Sequence, residues 1–374
     1  MSDFTKAPDN GHGAGYGAQM VTAAAARQAA RAWVEDTARS MPGYRAAFLA
    51  GSITALPDEA VVPAWSDTDI MVVLDREAPA KAGKFRFNGA LLEGTFLSRA
   101  SLADLETVLG SYHAANALAT GPIVDDPSGW LAGFQAEVRR EFPRRHRVEA
   151  RCANARAGVE AGFAALAPTG SLAERALSWV FPTGVMTHVL LVAGLRNPTV
   201  RRRYETVREL LAAHDRLELH EQLLEVLGSG RLGRETVERH LETVTRLFDA
   251  AAPVRADSYR FSSDITAVAR PISIDGSRDM IARGLHREAV FWLVVTGSRA
   301  LQKLQHGLGP GAAAPFVDGF ADLLADLGIV SFDDFLTRRD DALALMPEVW
   351  EAAQGIIDAT PEIVPRYGIR VNLE

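Results

Sequence analysis

The 374-residue chain reads as an α+β protein, with a small mixed sheet flanked by helices over residues 20–143 and an all-α helical bundle over 144–374. Three observations predict this. Short β-rich runs at 44–50, 70–74, 84–87 and 90–97 are confined to the first part of the chain. Beyond Pro143 the apolar residues recur at helical spacing with little strand signal. The length also exceeds that of a usual single domain.

Each element has its own signal. Residues 1–19 are polar and glycine-rich and read as a mobile tail, without the character of a secretory signal. Residues 20–40 are alanine-rich, with Val21, Ala24, Ala25, Ala29, Trp33 and Val34 at helical spacing. A strand at 44–50 ends at Gly51, and Ser66-Asp67-Thr68-Asp69 leads into the strand at 70–74. Asn88-Gly89 between 84–87 and 90–97 is a type I′ hairpin turn, because both of its central positions need positive φ. Ser101 is the expected N-cap of a helix that follows, 117–124 a further strand, and Asp126-Pro127 the start of a helix through Phe142.

In the second part, helices are expected near 147–166, 172–195, 200–214, 217–227, 236–250, 284–306, 315–327 and from 332 into 344–357. Residues 257–275 read as a hairpin or loop, and the glycine- and proline-rich run 307–315 as a breaker. No fixed-period repeat supports a solenoid.

Composition narrows the function classes. Forty Lys and Arg against 47 Asp and Glu give a net charge of −7, which disfavours a protein tracking nucleic acid nonspecifically. A nucleotide is still admissible, since its charge is met locally by metal. Cys152 is the sole cysteine, so no disulfide framework or zinc cluster is expected. Residues 178–195 are apolar and approach spanning length, but Pro182, Gly184, Thr187 and His188 favour a buried core helix, with His188 hydrogen-bonded inside it. A cytoplasmic protein is the simplest expectation.

The chemistry concentrates between 51 and 93. Asp67 and Asp69 are two apart at the start of a strand, so their carboxylates share a face and repel unless a cation lies between them. Mg²⁺ suits such a pair, because it takes oxygen ligands from one or two carboxylates and completes its shell with water and phosphate. Gly51 lets the backbone approach a phosphate, Ser52 offers a hydroxyl, and the N–H groups of a following helical turn attract anions. Glu93 stands mid-strand among apolar neighbours, a costly place for a charge that is not paired, solvated or metal-bound. Taken singly, Asp-x-Asp is most often a solvated loop and Gly-Ser a turn; their order along the chain gives them weight.

Gly51-Ser52, Ser66-Asp67-Thr68-Asp69 and Leu92-Glu93-Gly94 together resemble the polymerase-β-like nucleotidyltransferase superfamily, in particular members that modify aminoglycoside or lincosamide antibiotics. The resemblance covers roughly residues 20–143. It implies that Asp67, Asp69 and Glu93 are catalytic and bind metal, two Mg²⁺ ions in the full site. It also implies that Gly51 and Ser52 hold a nucleoside triphosphate, ATP first among them. Glu93 would be a metal ligand or the base for the acceptor hydroxyl. Two departures stand out: the spacer before Ser66 is long and carries Pro57 and Pro63, and Ile53-Thr54-Ala55-Leu56 replaces the usual basic or glycine residues.

The expected partners are therefore an NTP and a small-molecule acceptor, with no nucleic acid or membrane and an open oligomeric state. The acidic composition fits a cationic acceptor such as an aminoglycoside, and hence antibiotic resistance. The alternatives are transfer onto a protein or tRNA, and a nucleotide-binding regulatory module without catalysis. Arginines cluster at 139–151 and at 201–203, and His286-Arg287-Glu288 opens an apolar helix. A second-domain cation facing the cleft would stabilise charge on the phosphates.

Overall fold

The computed structural model describes residues 21–77 and 82–365; the tail expected at 1–19 lies outside the described residues. The chain is α+β, as the patterning predicts. Its strands are β1 (Val21–Thr22), β2 (Tyr44–Ala50), β3 (Val61–Val62), β4 (Thr68–Leu74), β5 (Gly83–Phe87), β6 (Ala90–Ser98) and β7 (Ile123–Asp125). The helices among them are α1 (Ala23–Asp36), α2 (Leu105–Gly110) and α3 (Ala114–Thr120). After β7 come α4 (Trp130–Glu141), α5 (Arg145–Ala164), α6 (Leu172–Ala193), α7 (Arg203–Ala213), α8 (Leu217–Leu227) and α9 (Arg234–Ala251). The remaining helices are α10 (Gly276–Ala282), α11 (His286–Leu308), α12 (Ala314–Asp326) and α13 (Phe332–Ala359).

The main sheet has the order β5-β6-β4-β2-β7 and is mixed, with β4 and β6 parallel and the other pairs antiparallel. Period-two alternation sorts its side chains onto two covered faces. Ala47, Leu49, Ile70, Val72, Leu74 and Leu92 join the α1 residues Ala30, Trp33 and Val34 on one face. Ala46, Phe48 and Val73 meet Leu109, Leu118 and Leu131 of α2, α3 and α4 on the other. Coverage on both sides is why β2 reads as a continuous apolar run.

Several sequence expectations need correction. Residues 114–120 form α3, and only Ile123–Asp125 is strand. Asp104, not Ser101, caps α2: its side chain accepts from the backbone N–H groups of Glu106 and Thr107. Asp126-Pro127 precedes α4 in a turn that ends at Gly129, with φ +70°, and Asp126 accepts from Ala132 N at 2.8 Å. The stretch 257–275 takes the loop alternative and not the hairpin, with a 3₁₀ turn (Ser262–Asp264) and one π-type turn (Pro271–Asp275). The expected helix at 284–306 is α11, preceded by the separate short α10. The hairpin at Asn88-Gly89 is as expected, with φ +46° and +82°.

The helices from α5 onward bury one continuous core through Trp179, Leu190, Phe248, Phe291, Phe320 and Phe335. Helix α6 is the one described helix long and apolar enough to cross a membrane, and 78% of its most apolar window is buried inside the protein. It is a core helix: His188 Nε2 hydrogen-bonds Thr199 O at 2.9 Å, and Thr183 donates to Trp179 O. The arginines around 139–151 hold the junction between the sheet and the helices. Arg139 donates to Ala119 O, Arg151 to Phe142 O, Arg147 pairs with Glu106 and Arg145 with Asp358.

Candidate active site

The structure brings Asp67, Asp69 and Glu93 together: each offers a carboxylate oxygen, and the three atoms lie within 4.8 Å of one another. The parallel register of β4 on β6 does this directly, because it sets Asp69 opposite Glu93. Asp67 sits two residues before Asp69, on the same face of the extended chain. Asp67 and Asp69 are half-buried and Glu93 is buried. Three oxygen-only ligands in this spacing fit a hard divalent cation such as Mg²⁺.

Gly51 is fixed by this cluster. Its φ is +73°, which favours glycine, and a Cβ there would collide with Oδ2 of Asp69. The backbone of the Gly51 corner thus lies against the second carboxylate. Ser52 Oγ lies 3.3 Å from Ser66 Oγ, so the hydroxyls flank the same corner. The segment after Gly51 is a single 3₁₀ turn, Ser52–Ala55, with Ile53 buried. The helical turn expected after the glycine is thus a short 3₁₀ one, and its N-terminus lies at the Gly51 corner.

The long spacer is held from behind. Arg27 of α1 donates to Ile53 O at 2.8 Å and to Leu56 O, and pairs with Asp58 at 2.6 Å. The small β1–β3 ribbon pairs Val21 with Val62 and anchors the spacer's far end. Neither device has a signature in the sequence, since each joins segments far apart in the chain.

A lysine that the motif reading passed over stands inside the cluster. Lys84 Nζ lies 2.6 Å from Asp67 Oδ2 and also contacts Glu93 Oε2, with 10% of its side chain exposed. Burial alone would lower its pKa, but the two carboxylates hold it above the ordinary lysine value. A signal for this residue existed. A two-residue Asn88-Gly89 turn pairs Phe87 with Ala90, and counting back places Lys84 opposite Glu93, the register observed.

Two arginines of the helical region reach the same place. Arg201 donates to Trp65 O at 3.3 Å, directly before Ser66-Asp67. Burial and Arg202 lower its pKa, while Asp67 acts on it in the opposite sense. Gly276 makes room for it, since a Cβ there would lie 2.6 Å from Arg201 Nη1. On the other side, the Ser262–Asp264 turn packs on β5, where a Cβ at Gly83 would lie 2.6 Å from Ser263 Cβ. Asp264 of that turn pairs with Arg299 of α11 at 3.0 Å, and Glu93 acts on the Arg299 charge. By contrast, His286-Arg287-Glu288 serves structure: Arg287 pairs with Glu221 and donates to Gly230 O.

No family model and no curated protein matches the chain. Among solved structures it is similar to a nucleotidyltransferase-like protein from Exiguobacterium sibiricum 255-15, with 14% identity over 81% of this chain and 89% of that one, at a TM-score of 0.29. A likeness at that level carries no functional argument, and what the site can do follows from its own geometry.

Proposed function

We propose that the protein is a Mg²⁺-dependent nucleotidyltransferase that moves a nucleoside monophosphate, AMP from ATP first, onto a hydroxyl of a small molecule. The observation that carries this is the meeting of Asp67, Asp69 and Glu93 beside the Gly51-Ser52 corner. Asp67, Asp69 and Glu93 would hold the metal, two ions in the full site. When bound, the metal supplies charge neutralisation for the α-phosphate and for the entering and departing oxygens.

The remaining work falls to the chain. The Gly51 backbone and the Ser52 hydroxyl bind the triphosphate. Arg201 stands at the Asp67 end, where a fixed guanidinium stabilises charge that develops on phosphate oxygens. Glu93, opposite Asp69 across the β4–β6 pair, is the third metal ligand or the carboxylate that takes the acceptor proton. The acceptor oxygen then forms its bond to the α-phosphorus as pyrophosphate leaves. The sheet and the helical region act as two domains, 20–143 and 144–374, with the helices choosing the acceptor. A cytoplasmic setting, where NTPs are abundant, would suit this reaction.

Incubating the protein with each NTP, Mg²⁺ and a set of hydroxylated acceptors should yield an acceptor heavier by one nucleoside monophosphate, read by mass spectrometry. Asp67→Ala or Asp69→Ala should abolish that product with the circular dichroism spectrum unchanged. Turnover at the wild-type rate in either variant would reject the metal assignment. Transfer of labelled nucleotide to protein or tRNA alone would move the reading to a macromolecular target.

A further inference from the structure

The helical region presents a row of buried N–H donors that lack acceptors. Arg203, at the start of α7, is 1% exposed; its Nε donates to Val200 O at 2.8 Å, and its Nη1 has no hydrogen-bond partner. The guanidinium lies over the Phe291 ring at 4.1 Å, and Gly184 of α6 makes room for it, since a Cβ there would collide with Nη1. Phe291 meets Phe181 edge to face at 6.2 Å between centroids. Phe181 and Trp292 in turn lie 5.5 Å from the Arg299 guanidinium, which Phe261 covers at 4.2 Å. Arg299 Nε and Trp292 Nε1 are buried without partners as well.

Arginine and tryptophan side-chain nitrogens donate only, so each of these groups calls for an acceptor atom. A buried guanidinium without an anion is among the most costly arrangements in a folded protein. Phenylalanine rings line the run between the two arginines, and Arg299 stands at the edge of the acidic cluster through Asp264. The chain's net charge of −7 had favoured a cationic acceptor, but the local chemistry is of the opposite sign.

We propose that the buried, unpartnered donors of Arg203, Arg299 and Trp292, set against Phe181 and Phe291, line the acceptor site, and that it takes a hydroxylated small molecule bearing a carboxylate or phosphate group. This rests on the nucleotidyl-transfer reading only for the word acceptor; the anion site stands on its own geometry. Arg299, whose charge Glu93 acts on, is the end towards the acidic cluster, and Arg203 the far end. The anionic group ends on Arg203 Nη1, Arg299 Nε and Trp292 Nε1, and its apolar part stacks on the phenylalanine rings. A cationic ligand brings donors to donors and is excluded.

The test uses the full chain in EDTA, so that no metal can draw anions to the carboxylates. Benzoate, phenyl phosphate and benzylamine form a matched set, titrated by calorimetry and by thermal shift. Both anions should bind and raise the melting temperature, and benzylamine should do neither; which anion binds more tightly separates carboxylate from phosphate. Arg203→Met should weaken anion binding by about tenfold or more, the size of a lost charged hydrogen bond. It should also raise the melting temperature of the ligand-free protein, which a merely structural arginine would not do. If Arg203→Met does not fold, Arg299→Gln and the wild-type ranking carry the same decision. Equal binding of benzylamine, or wild-type anion affinity in the arginine variants, would overturn the proposal. Fluorescent ATP analogue binding with Mg²⁺ is measured in parallel. Its absence with anion binding intact would sink the transferase reading and leave the anion pocket standing.

Discussion

Lys84 gives the sharpest test of whether the acidic cluster is a metal site. Its ammonium contacts Asp67 and Glu93, so a divalent cation entering there must move it. Each contact pair is worth on the order of 4 kcal/mol at an effective dielectric of about 20. With 10% of the lysine side chain exposed, solvent screens little of this in the metal-free state. Most of it returns when the displaced ammonium reaches water or phosphate, leaving a penalty of about 3 kcal/mol on metal binding. Lys84→Met removes the competitor, so the dissociation constant for Mn²⁺ should fall by about a hundredfold. Three carboxylates without a counter-ion also destabilise the metal-free protein, so its melting temperature should drop and be restored by Mn²⁺. Calorimetry and thermal denaturation with and without metal measure both effects. The sign of the lysine shift adds a condition. Its pKa is raised, so its charge is lost only as pH climbs above the ordinary lysine range, and the competition should be constant from about pH 6 to 9. Unchanged Mn²⁺ affinity in Lys84→Met would show that the ion does not sit among these carboxylates.

Other perturbations reach other parts of the structure. Gly51→Ala puts a methyl group into the Asp69 carboxylate at a positive φ; metal binding and transfer should be lost, with about 1–3 kcal/mol of stability, read by calorimetry and urea denaturation. His220, 1% exposed in its side chain, has its pKa pushed down to about 4 by burial. The stability this neutral ring confers is full above about pH 6.5 and is lost as pH falls through about 4, a change of about 3 kcal/mol. His220→Gln should flatten acid denaturation across that window, and an unchanged profile would reject the assignment. Burial pushes the Cys152 thiol up to about 12, and its Sγ faces Val189 O at 3.5 Å. An aromatic disulfide reagent should therefore modify it only on unfolding, and prompt labelling of the native protein would contradict the packing.

Much of the site was legible because its geometry is local or set by one register. Asp67 and Asp69 follow from two-residue spacing, and the Asn88-Gly89 turn places Lys84 opposite Glu93 without any coordinates. The parallel pairing that sets Asp69 beside Glu93 has no such signal, because nothing in either strand names its partner. The same limit hides Arg299, and leaves open which arginine of the 201–203 cluster reaches the site. Arg201 lies in the turn before α7 and Arg299 within α11, and only the packing shows which residues of those segments meet the sheet. The strand expected over 117–124 misled for a different reason. Ala-Ala-Asn-Ala-Leu-Ala-Thr is a helix former by propensity, but its nearness to β-branched Ile123 and Val124 suggested one longer strand.

On the proposed nucleotidyl transfer, the charges around the site require metal and nucleotide to enter together. Among the described residues, Asp67, Asp69, Glu93 and Asp264 face Lys84, Arg201 and Arg299, four negative charges against three positive. A divalent ion alone turns this sum positive, and an NTP alone makes it strongly negative. Each is unfavourable in a half-buried site where solvent screens little. Two divalent ions, the full proposed site, offset a fully ionised NTP and return the sum to its starting value, and Lys84, displaced from the carboxylates, would be free to pair with a phosphate oxygen. Binding of either should therefore strengthen the other by the same factor, as linkage requires. A non-hydrolysable ATP analogue should lower the Mn²⁺ dissociation constant by about tenfold or more, for a coupling of about 1–3 kcal/mol. The coupling should shrink in Lys84→Met, where the metal no longer has a lysine to displace. Independent binding of metal and nucleotide would mean that the carboxylates and the triphosphate site do not share this charge balance, and the one-centre reading would fail.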